Sequence, residues 1–266
     1  MPSRLRVRDM GKPGTPGNPA DVPKCPPGWT TAPPDFIGVG ATRSGTTWWH
    51  ELIIHHPRVT LAPGSQKELY FFDVQWKTDL AEHDIARYNS YFPRPPGCIA
   101  GEWTPDYMYH TWVPPLLRRV APDAAILVVL RDPVERYLSE IRHWLTLGLD
   151  SKILGTVSDV AQFRSYYAYP LLRLLEYFPR DRVLILQMER CELEPESQLR
   201  RTYEFLGLED VDFVPDVVRR RVNTTSRDVE VPSPLLLVPE EGFRRDAQLL
   251  REIEPELDLS LWPSAS

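Results

Sequence analysis

Short, largely apolar runs alternate along the chain with longer segments in which apolar residues recur at helical spacing. Phe36–Val39, Ala124–Leu130 and Val183–Met188 are the runs of the first kind. Their length and lack of alternation are typical of parallel strands that are buried on both faces. The order of segments therefore predicts an α/β fold, in which a mostly parallel sheet is flanked by helices. The predicted helices are Thr46–His55, Pro133–Leu147, Tyr166–Phe178, Pro195–Leu206 and Phe243–Leu261.

Three segments lack a clear pattern. Residues 1–34 are rich in proline, glycine and charge, and we expect them to form a flexible arm ahead of a single domain at residues 35–266. Asp79–Phe92 is polar with scattered aromatic residues, and it is expected to form a helix or a lid. Asp150–Phe163 is weakly patterned and is expected to be a mobile loop.

Composition narrows the classes of function. The chain has 266 residues and a formal net charge of −6, which argues against a nucleic acid or another polyanion as partner. Its three cysteines are far apart and form no C-x-x-C pair, so they predict neither a disulfide framework nor a zinc site. No apolar run has the length of a membrane span, and the N-terminus lacks the apolar core of a signal peptide. We expect a reduced, cytoplasmic protein without a transmembrane segment.

The most informative segment joins the first predicted strand to the first predicted helix. Gly40 and Gly45 have the spacing of a phosphate-binding G-x-x-x-x-G-K-[ST] loop, but Thr46 occupies the position of the lysine. Thr47 follows, and the cation of the loop is instead Arg43. The first N–H groups of a helix have no partners within the helix, so such a turn can bind an anion. The missing lysine argues against Mg²⁺-assisted ATP chemistry; an ordinary glycine turn before a helix is the alternative.

A second anion-binding pattern follows the second predicted strand. Arg131 leaves that strand at its carboxyl end, where ligands bind in open α/β sheets. Pro133 suits the first turn of the next helix, and Ser139 lies two turns further along it. An arginine makes paired hydrogen bonds to a phosphate, and a serine hydroxyl can add another. Arg136 is expected to have a structural role, paired with Asp132 across one turn.

Both segments resemble signatures of the sulfotransferases that use 3′-phosphoadenosine 5′-phosphosulfate (PAPS). Arg43–Trp48 is similar to their K-S-G-T-T-W loop, with arginine in place of lysine, and Arg131–Ser139 is similar to their R-D-P-x-x-R-x-x-S segment. The resemblance implies a P-loop NTPase-like fold, a 5′-phosphosulfate bound by the first loop and a 3′-phosphate bound by the second segment. Trp48 would stack on the adenine. Arg227, in a later basic turn, is a looser match for a loop that closes over the nucleotide, and a solvated turn is the alternative. The implied nucleotide-binding residues are Arg43, Ser44, Gly45, Thr46, Thr47, Trp48, Arg131, Ser139 and Arg227.

A third segment, residues 67–73, has the sequence K-E-L-Y-F-F-D. It resembles the K-E-x-x-F-F-D segment of heparan sulfate-type glycan sulfotransferases and their bacterial relatives. The resemblance implies that Glu68 is the general base, that Lys67 assists at the sulfuryl oxygens, and that Arg43 completes the catalytic set. A surface Lys-Glu pair before a buried aromatic strand or turn is the alternative.

Gly101–Tyr107 resembles the G-E-K-S/T-P-x-Y turn of the same family, with one departure. Trp103 occupies the position of a lysine that is expected to help bind the sulfuryl group or an acidic acceptor. The departure argues against a charged polysaccharide as acceptor. Two interpretations of Trp103 stay open, an apolar or ring-stacking surface and a side chain packed in the core.

The expected function is sulfuryl transfer from PAPS to a hydroxyl or amine, with release of 3′-phosphoadenosine 5′-phosphate (PAP) and without a metal. A neutral sugar, phenol, lipid or secondary metabolite is expected as acceptor, while the acceptor's identity and the oligomeric state are not readable from the sequence. A P-loop small-molecule kinase is one alternative, which ATP turnover with Mg²⁺ would reveal. A catalytically inactive nucleotide-binding protein is the other, and it would bind PAP without any turnover.

Overall fold

The computed structural model describes residues 22, 24–61, 65–73, 79–148, 151–219 and 229–265. The strands are β1 (Thr30–Thr31), β2 (Phe36–Gly40), β3 (Pro93–Arg94), β4 (Gly101–Trp103), β5 (Ala125–Leu130) and β6 (Val183–Gln187). The α-helices are α1 (Thr46–Ile54), α2 (Glu82–Asn89), α3 (Val113–Val120), α4 (Pro133–Thr146), α5 (Ser151–Phe163), α6 (Ala168–Leu175), α7 (Met188–Leu193), α8 (Pro195–Phe205) and α9 (Glu240–Ile253). Short 3₁₀ turns are Tyr107–Tyr109, Arg180–Arg182, Ser233–Leu236, Leu259–Leu261 and Pro263–Ala265.

Four parallel strands form the central sheet, in the order β4-β2-β5-β6. All residues of β2, β5 and β6 are buried, which explains why their sequences do not alternate between apolar and polar residues; Gln187, at the end of β6, is the one polar side chain in these three strands. The five predicted helices are present as α1, α4, α6, α8 and α9. The predicted α/β fold, a mostly parallel sheet flanked by helices, is therefore confirmed.

Helices cover both faces of the sheet because alternate residues of each strand point to opposite sides. On one face, Ile126 and Val128 of β5 pack with side chains of α3, α6 and α9. On the other face, Leu127 and Val129 pack with side chains of α1 and α8. Each such residue contributes roughly 1.5–3 kcal/mol when fully buried. The second layer holds α1 in place, while Tyr137 and Ile141 of α4 pack with α5 in a separate apolar cluster. Helices α1 and α4 both follow a strand of the sheet and begin at its carboxyl edge.

Two segments differ from their predicted structure. Residues 151–163 form helix α5 rather than a mobile loop. Val157 and Ala161 lie one turn apart and are buried in an apolar cluster shared with α4, so a narrow apolar stripe suffices to dock this helix. Residues 101–103 form strand β4, which pairs with β2, rather than part of a turn. A strand of three residues is too short to show a period in the sequence.

The N-terminal segment is described only in part. Thr30–Thr31 pairs antiparallel with Pro93–Arg94, at the end of the segment that was predicted to be a flexible arm. The first 21 residues lie outside the described residues. Among the helices that the structure describes, none combines the length and the apolar character that crossing a membrane requires.

Candidate active site

The loop between β2 and α1, residues 41–45, lies at the carboxyl edge of the sheet. Ala41 donates its N–H to the carbonyl of Val129 in the neighbouring strand at 2.8 Å. Gly45 has φ +84°, and a Cβ at this position would overlap the side chain of Met188, so the turn requires glycine. In the part of the chain that is described, no side chain caps α1. The N–H groups of its first turn are therefore available to an anion.

Arg43 and Arg131 bring two guanidinium groups to this loop. The backbone of Arg43 has φ +65°, and its carbonyl accepts a hydrogen bond from Nη1 of Arg131 at 3.4 Å. Burial lowers the pKa of Arg43; the carboxylate of Glu140 opposes this shift, and the charges of Arg131 and Arg136 add to it. A phosphate or sulfate bound here would offset both the burial and the repulsion between the arginines.

Arg131 and Ser139 lie on the same side of α4. Nη2 of Arg131 contacts the carboxylate of Glu135 at 2.9 Å, and the hydroxyl of Tyr167 donates to the Arg131 carbonyl at 2.9 Å. Ser139 is half-buried and follows Glu135 by one turn, which places both on one face of the helix. A 3′-phosphate site formed by Arg131 and Ser139 stays a prediction, and Glu135 would compete with the phosphate for the guanidinium group.

Arg136 pairs with Glu140 at 2.5 Å, so the expected pairing with Asp132 is wrong. The carboxylate of Asp132 instead caps α4 by accepting the N–H groups of Val134 and Glu135. Arg136 and Glu140 are four residues apart on the buried face of the helix, and both side chains are almost inaccessible to solvent. A buried charge without a partner is costly. Asp132 is equally buried, but its carboxylate is occupied by backbone N–H groups, so Glu140 is the residue that neutralises Arg136.

Arg164 extends this ion pair to the loop. It contacts Glu140 at 3.0 Å and Asp106 at 2.8 Å, and Asp106 also accepts the hydroxyl of Thr42 at 3.0 Å. Burial raises the pKa of Glu140, but the charges of Arg136 and Arg164 outweigh it and the net shift is downward. These charges balance one another, so the network fixes the loop at Thr42 rather than presenting charge to a ligand.

Lys67 connects the loop to the predicted base. Its Nζ lies 3.2 Å from Oγ1 of both Thr46 and Thr47 and 2.8 Å from Oε1 of Glu68. Burial lowers the pKa of Lys67, and the carboxylate of Glu68 opposes that shift. The side chain of Glu68 is 28% exposed, so a substrate can reach it. The structure thus brings Lys67 and Glu68 together with the two threonines that begin α1.

Glu102 of β4 holds the backbone next to the candidate base, a role that the sequence did not indicate. Its carboxylate is completely buried and accepts hydrogen bonds from Tyr88 Oη (2.7 Å), Thr104 Oγ1 (2.6 Å) and the N–H of Leu69 (3.3 Å). Burial raises the pKa of Glu102 to about 7, although these hydrogen bonds lower it. Because Leu69 follows Glu68 directly, Glu102 fixes the backbone beside the base. The signal in the sequence was a lone glutamate between apolar neighbours in a short segment.

Trp103 belongs to the core. It is completely buried, its Nε1 donates to the carbonyl of Gly40 at 3.3 Å, and a Cβ on Gly38 would overlap its indole ring. The interpretation of Trp103 as a core side chain is therefore confirmed, and that of a surface for the acceptor is wrong. Gly38 of β2 provides the space in which the indole lies.

Trp48 and His50, in the first turns of α1, each bury a ring nitrogen that has no hydrogen-bond partner among the described residues. Trp48 is 5% exposed and contacts the ring of Trp49 edge to face, with 5.3 Å between centroids. Burial lowers the pKa of His50 to about 3, and the charge of Lys67 adds to the shift. The stacking of Trp48 on an adenine stays a prediction.

Acidic groups lie beside the far end of the base segment. Burial raises the pKa of Asp73 to about 7, and the carboxylates of Asp106 and Glu102 add to the shift. Nε2 of His110 lies 3.9 Å from Oδ1 of Asp73.

Two further expectations concern Arg227 and metal binding. Arg227 lies outside the described residues, so its contact with the nucleotide stays a prediction. Over the residues that are described, no three side chains of histidine, cysteine, aspartate or glutamate are grouped so that they could hold a metal ion.

Comparison with known proteins gives a family and several relatives. A family model described as "Sulfotransferase domain" matches residues 33–230. Heparan sulfate glucosamine 3-O-sulfotransferase 6 of Homo sapiens is 34% identical over 212 residues, which is 75% of this chain and 58% of that protein. Heparan sulfate glucosamine 3-O-sulfotransferase 3B1 of Mus musculus is 30% identical over 192 residues, 67% of this chain and 47% of that protein. The chain thus spans about half the length of these curated relatives.

Solved structures share the fold. A sulfotransferase from Alicyclobacillus acidocaldarius superposes with a TM-score of 0.68 at 23% identity, covering 87% of this chain and 99% of that one. Sulfotransferase STF9 from Mycobacterium avium superposes with a TM-score of 0.56 at 14% identity, covering 84% of this chain and 77% of that one. At these identities the likeness is one of fold, and it confirms the expected P-loop NTPase-like arrangement.

Proposed function

The chain belongs to the sulfotransferase family, and from that premise we propose that it transfers a sulfuryl group from PAPS to a hydroxyl or amine and releases PAP. The observation that carries the proposal is the position of Lys67. Its ammonium group contacts the hydroxyls of Thr46 and Thr47 on one side and the carboxylate of Glu68 on the other. An anion site and a candidate base are therefore joined by a single cation.

The residues of the loop fit a nucleotide that carries phosphates. The uncapped start of α1, the glycine turn at Gly45 and the buried cation of Arg43 would hold the 5′-phosphosulfate. Arg131 and Ser139 would hold the 3′-phosphate, and Arg227 is a further candidate. When it is bound, PAPS supplies a sulfuryl group whose leaving group is a phosphate that gains negative charge as the S–O bond breaks.

The proposal assigns a chemical role to each residue of the candidate site. Arg43, Lys67 and the N–H groups that begin α1 stabilise the negative charge that develops on the leaving phosphate, and preorganised donors of this kind contribute roughly 10²–10³ in rate each. Glu68 accepts the proton of the acceptor hydroxyl or amine, which contributes roughly 10²–10⁴. Arginine, lysine and backbone donors provide the positive field without a metal.

The acceptor that we propose carries little or no negative charge. The curated relatives are named for heparan sulfate, a polyanion. In this chain, Trp103 fills the core where a lysine was expected, so this position offers no cation to a polyanion. A small molecule, a neutral sugar or a lipid suits these surroundings better than a sulfated polymer does.

Incubation with radiolabelled PAPS and a panel of acceptors tests the proposal. The panel contains phenols, neutral sugars, lipids with hydroxyl head groups, amines and heparan sulfate. We expect label in at least one uncharged acceptor and release of PAP. No transfer to any acceptor, together with phosphoryl transfer from ATP in the presence of Mg²⁺, would instead identify the chain as a small-molecule kinase.

A further inference from the structure

Tyr70 contacts the candidate base from within the same segment. Its hydroxyl donates a hydrogen bond to Oε2 of Glu68, while Nζ of Lys67 lies 2.8 Å from Oε1. Both oxygens of the carboxylate are therefore held, one by a neutral donor and one by a charged donor. Two donors on the two oxygens fix the plane of the carboxylate as well as its position.

The backbone of Tyr70 is turned so that this contact can form. Its φ of +49° lies in the left-handed region, which is uncommon for a large side chain and carries a cost of order 1–3 kcal/mol. The conformation is held from outside the segment, because Oγ1 of Thr104 accepts the N–H groups of both Leu69 (3.0 Å) and Tyr70 (3.3 Å). A strained conformation that neighbouring residues maintain is common at functional sites.

The charged groups around this pair come from three segments. Lys67 and Asp73 flank it within residues 67–73, Asp106 comes from the turn after β4, and Glu102 lies in β4. Burial raises the pKa of the Tyr70 hydroxyl, and the carboxylates of Glu68, Asp106 and Asp73 add to the shift, so the hydroxyl stays protonated and donates.

We propose that Tyr70 is a positioning residue for the reaction, whose hydroxyl orients the carboxylate of Glu68. The inference rests on the proposed role of Glu68 as the base. A donor on Oε2, together with Lys67 on Oε1, restricts the carboxylate to few orientations. Less conformational freedom therefore has to be lost before the carboxylate can accept the proton of the acceptor.

Tyr70→Phe tests the inference, because it removes the hydroxyl and keeps the ring and the backbone preference. In Tyr70→Phe we expect kcat to fall about 10- to 100-fold, the effect of one hydrogen bond to a charged group, with the PAPS KM nearly unchanged. A general loss of structure would raise the PAPS KM as well, so a fall in kcat alone distinguishes positioning from folding. Tyr166→Phe is the matched control, since the half-buried ring of Tyr166 packs against Phe243, and its kcat and KM should match those of the parent.

A second variant separates the effect of the hydroxyl from an effect on folding. Tyr70 replaced by 3-fluorotyrosine keeps the shape of the side chain and makes the hydroxyl a stronger donor. Its kcat should stay near that of the parent, in contrast to Tyr70→Phe. A kcat of Tyr70→Phe equal to that of the parent, or a kcat of the 3-fluorotyrosine variant as low as that of Tyr70→Phe, would overturn the positioning role. If Glu68→Gln keeps full activity, the proposed base is wrong; if Glu68→Gln is inactive while both Tyr70 variants behave as the parent, only the role of Tyr70 is wrong.

Discussion

Nζ of Lys67 lies 3.2 Å from Oγ1 of Thr47, although the two residues belong to different segments of the site. Thr47 is the second residue of α1, just after the glycine turn, and Lys67 precedes the candidate base. The contact places a cation between the start of a helix, where an anion binds, and the carboxylate of Glu68. Adjacent residues would therefore stabilise the charge that develops on the leaving group and accept the proton of the acceptor.

Lys67→Met removes this cation and keeps most of the volume of the side chain. We expect kcat for sulfuryl transfer to fall by roughly 10²-fold, because one preorganised donor is lost, while PAP affinity falls far less. Steady-state kinetics with PAPS and calorimetry with PAP measure the two effects. Lys24→Met, a change of an exposed lysine, is the control and should alter neither. A loss of PAP affinity as large as the loss of kcat would mean that Lys67 only binds the nucleotide.

Arg131→Ala should weaken PAP binding by about 1.5–3 kcal/mol, the range for a hydrogen bond to a charged group, and leave AMP binding almost unchanged. The reason is that AMP lacks the 3′-phosphate that Arg131 is proposed to contact. Calorimetry with both nucleotides measures the difference. Arg200→Ala, which removes an exposed arginine paired with Asp212, should change neither affinity. An equal loss for PAP and AMP would move the contact with the 3′-phosphate to another residue, with Arg227 next in line.

Glu102 makes the stability of the fold depend on pH. Burial raises its pKa to about 7 in the folded chain, compared with about 4.3 for an unperturbed glutamate. Between these two pKa values, the folded chain binds the proton of Glu102 more tightly than the unfolded chain does. The contribution of Glu102 to the free energy of unfolding is therefore present below about pH 4 and is lost as the pH rises through about 7. The loss is on the order of 2–4 kcal/mol.

Glu102→Gln should flatten this dependence, since the amide does not titrate. Urea unfolding of the parent and of Glu102→Gln at pH 5.5 and pH 8 provides the measurement. Burial shifts the pKa of Asp73 in the same direction. The same series with Asp73→Asn therefore measures how much of the pH dependence that remains in Glu102→Gln comes from Asp73. A parent and a Glu102→Gln variant with equal slopes would show that Glu102 does not hold a proton in this range.

Trp103→Lys restores the lysine that was expected at this position, but it should destabilise the fold instead of creating a binding site for polyanions. The side chain is completely buried over Gly38, so the substitution removes an indole and buries an ammonium group. We expect a loss of at least about 3 kcal/mol in the free energy of unfolding. Leu237→Lys, at a leucine that is 79% exposed, is the control and should stay within about 0.5 kcal/mol. A stable Trp103→Lys variant that sulfates heparan sulfate would contradict this account.

The fold could be predicted from the sequence because burial leaves a local signal. β5 is buried on both faces and has no polar residue, and the glycine at position 45 is required by a backbone conformation that few other residues adopt. Helix α5 was missed because its buried stripe, which includes Val157 and Ala161, is narrow. The parts that were predicted are those in which neighbouring residues alone determine the structure.

The supports of the candidate site could not be predicted, since they join segments that are far apart in the sequence. Glu102 is held by Tyr88 and in turn holds Leu69, and no spacing in the chain connects the three. The hydroxyl of Tyr70 reaches Glu68 only because the backbone takes a left-handed turn that a tyrosine seldom adopts. Arg136 was assigned the wrong partner because Asp132 and Glu140 each lie four residues from it and are equally buried, and only the capping contacts of Asp132 distinguish them.

The central claim is that Glu68 removes the proton of the acceptor during sulfuryl transfer. A single-turnover measurement of Glu68→Gln, with enzyme in excess over PAPS, tests it most directly because product release does not affect the observed rate. The account predicts that the rate falls at least about 10²-fold and that PAP affinity stays nearly unchanged. A Glu68→Gln variant that keeps most of the single-turnover rate would contradict the account, and Glu102 or His110 would then be the next residue to substitute.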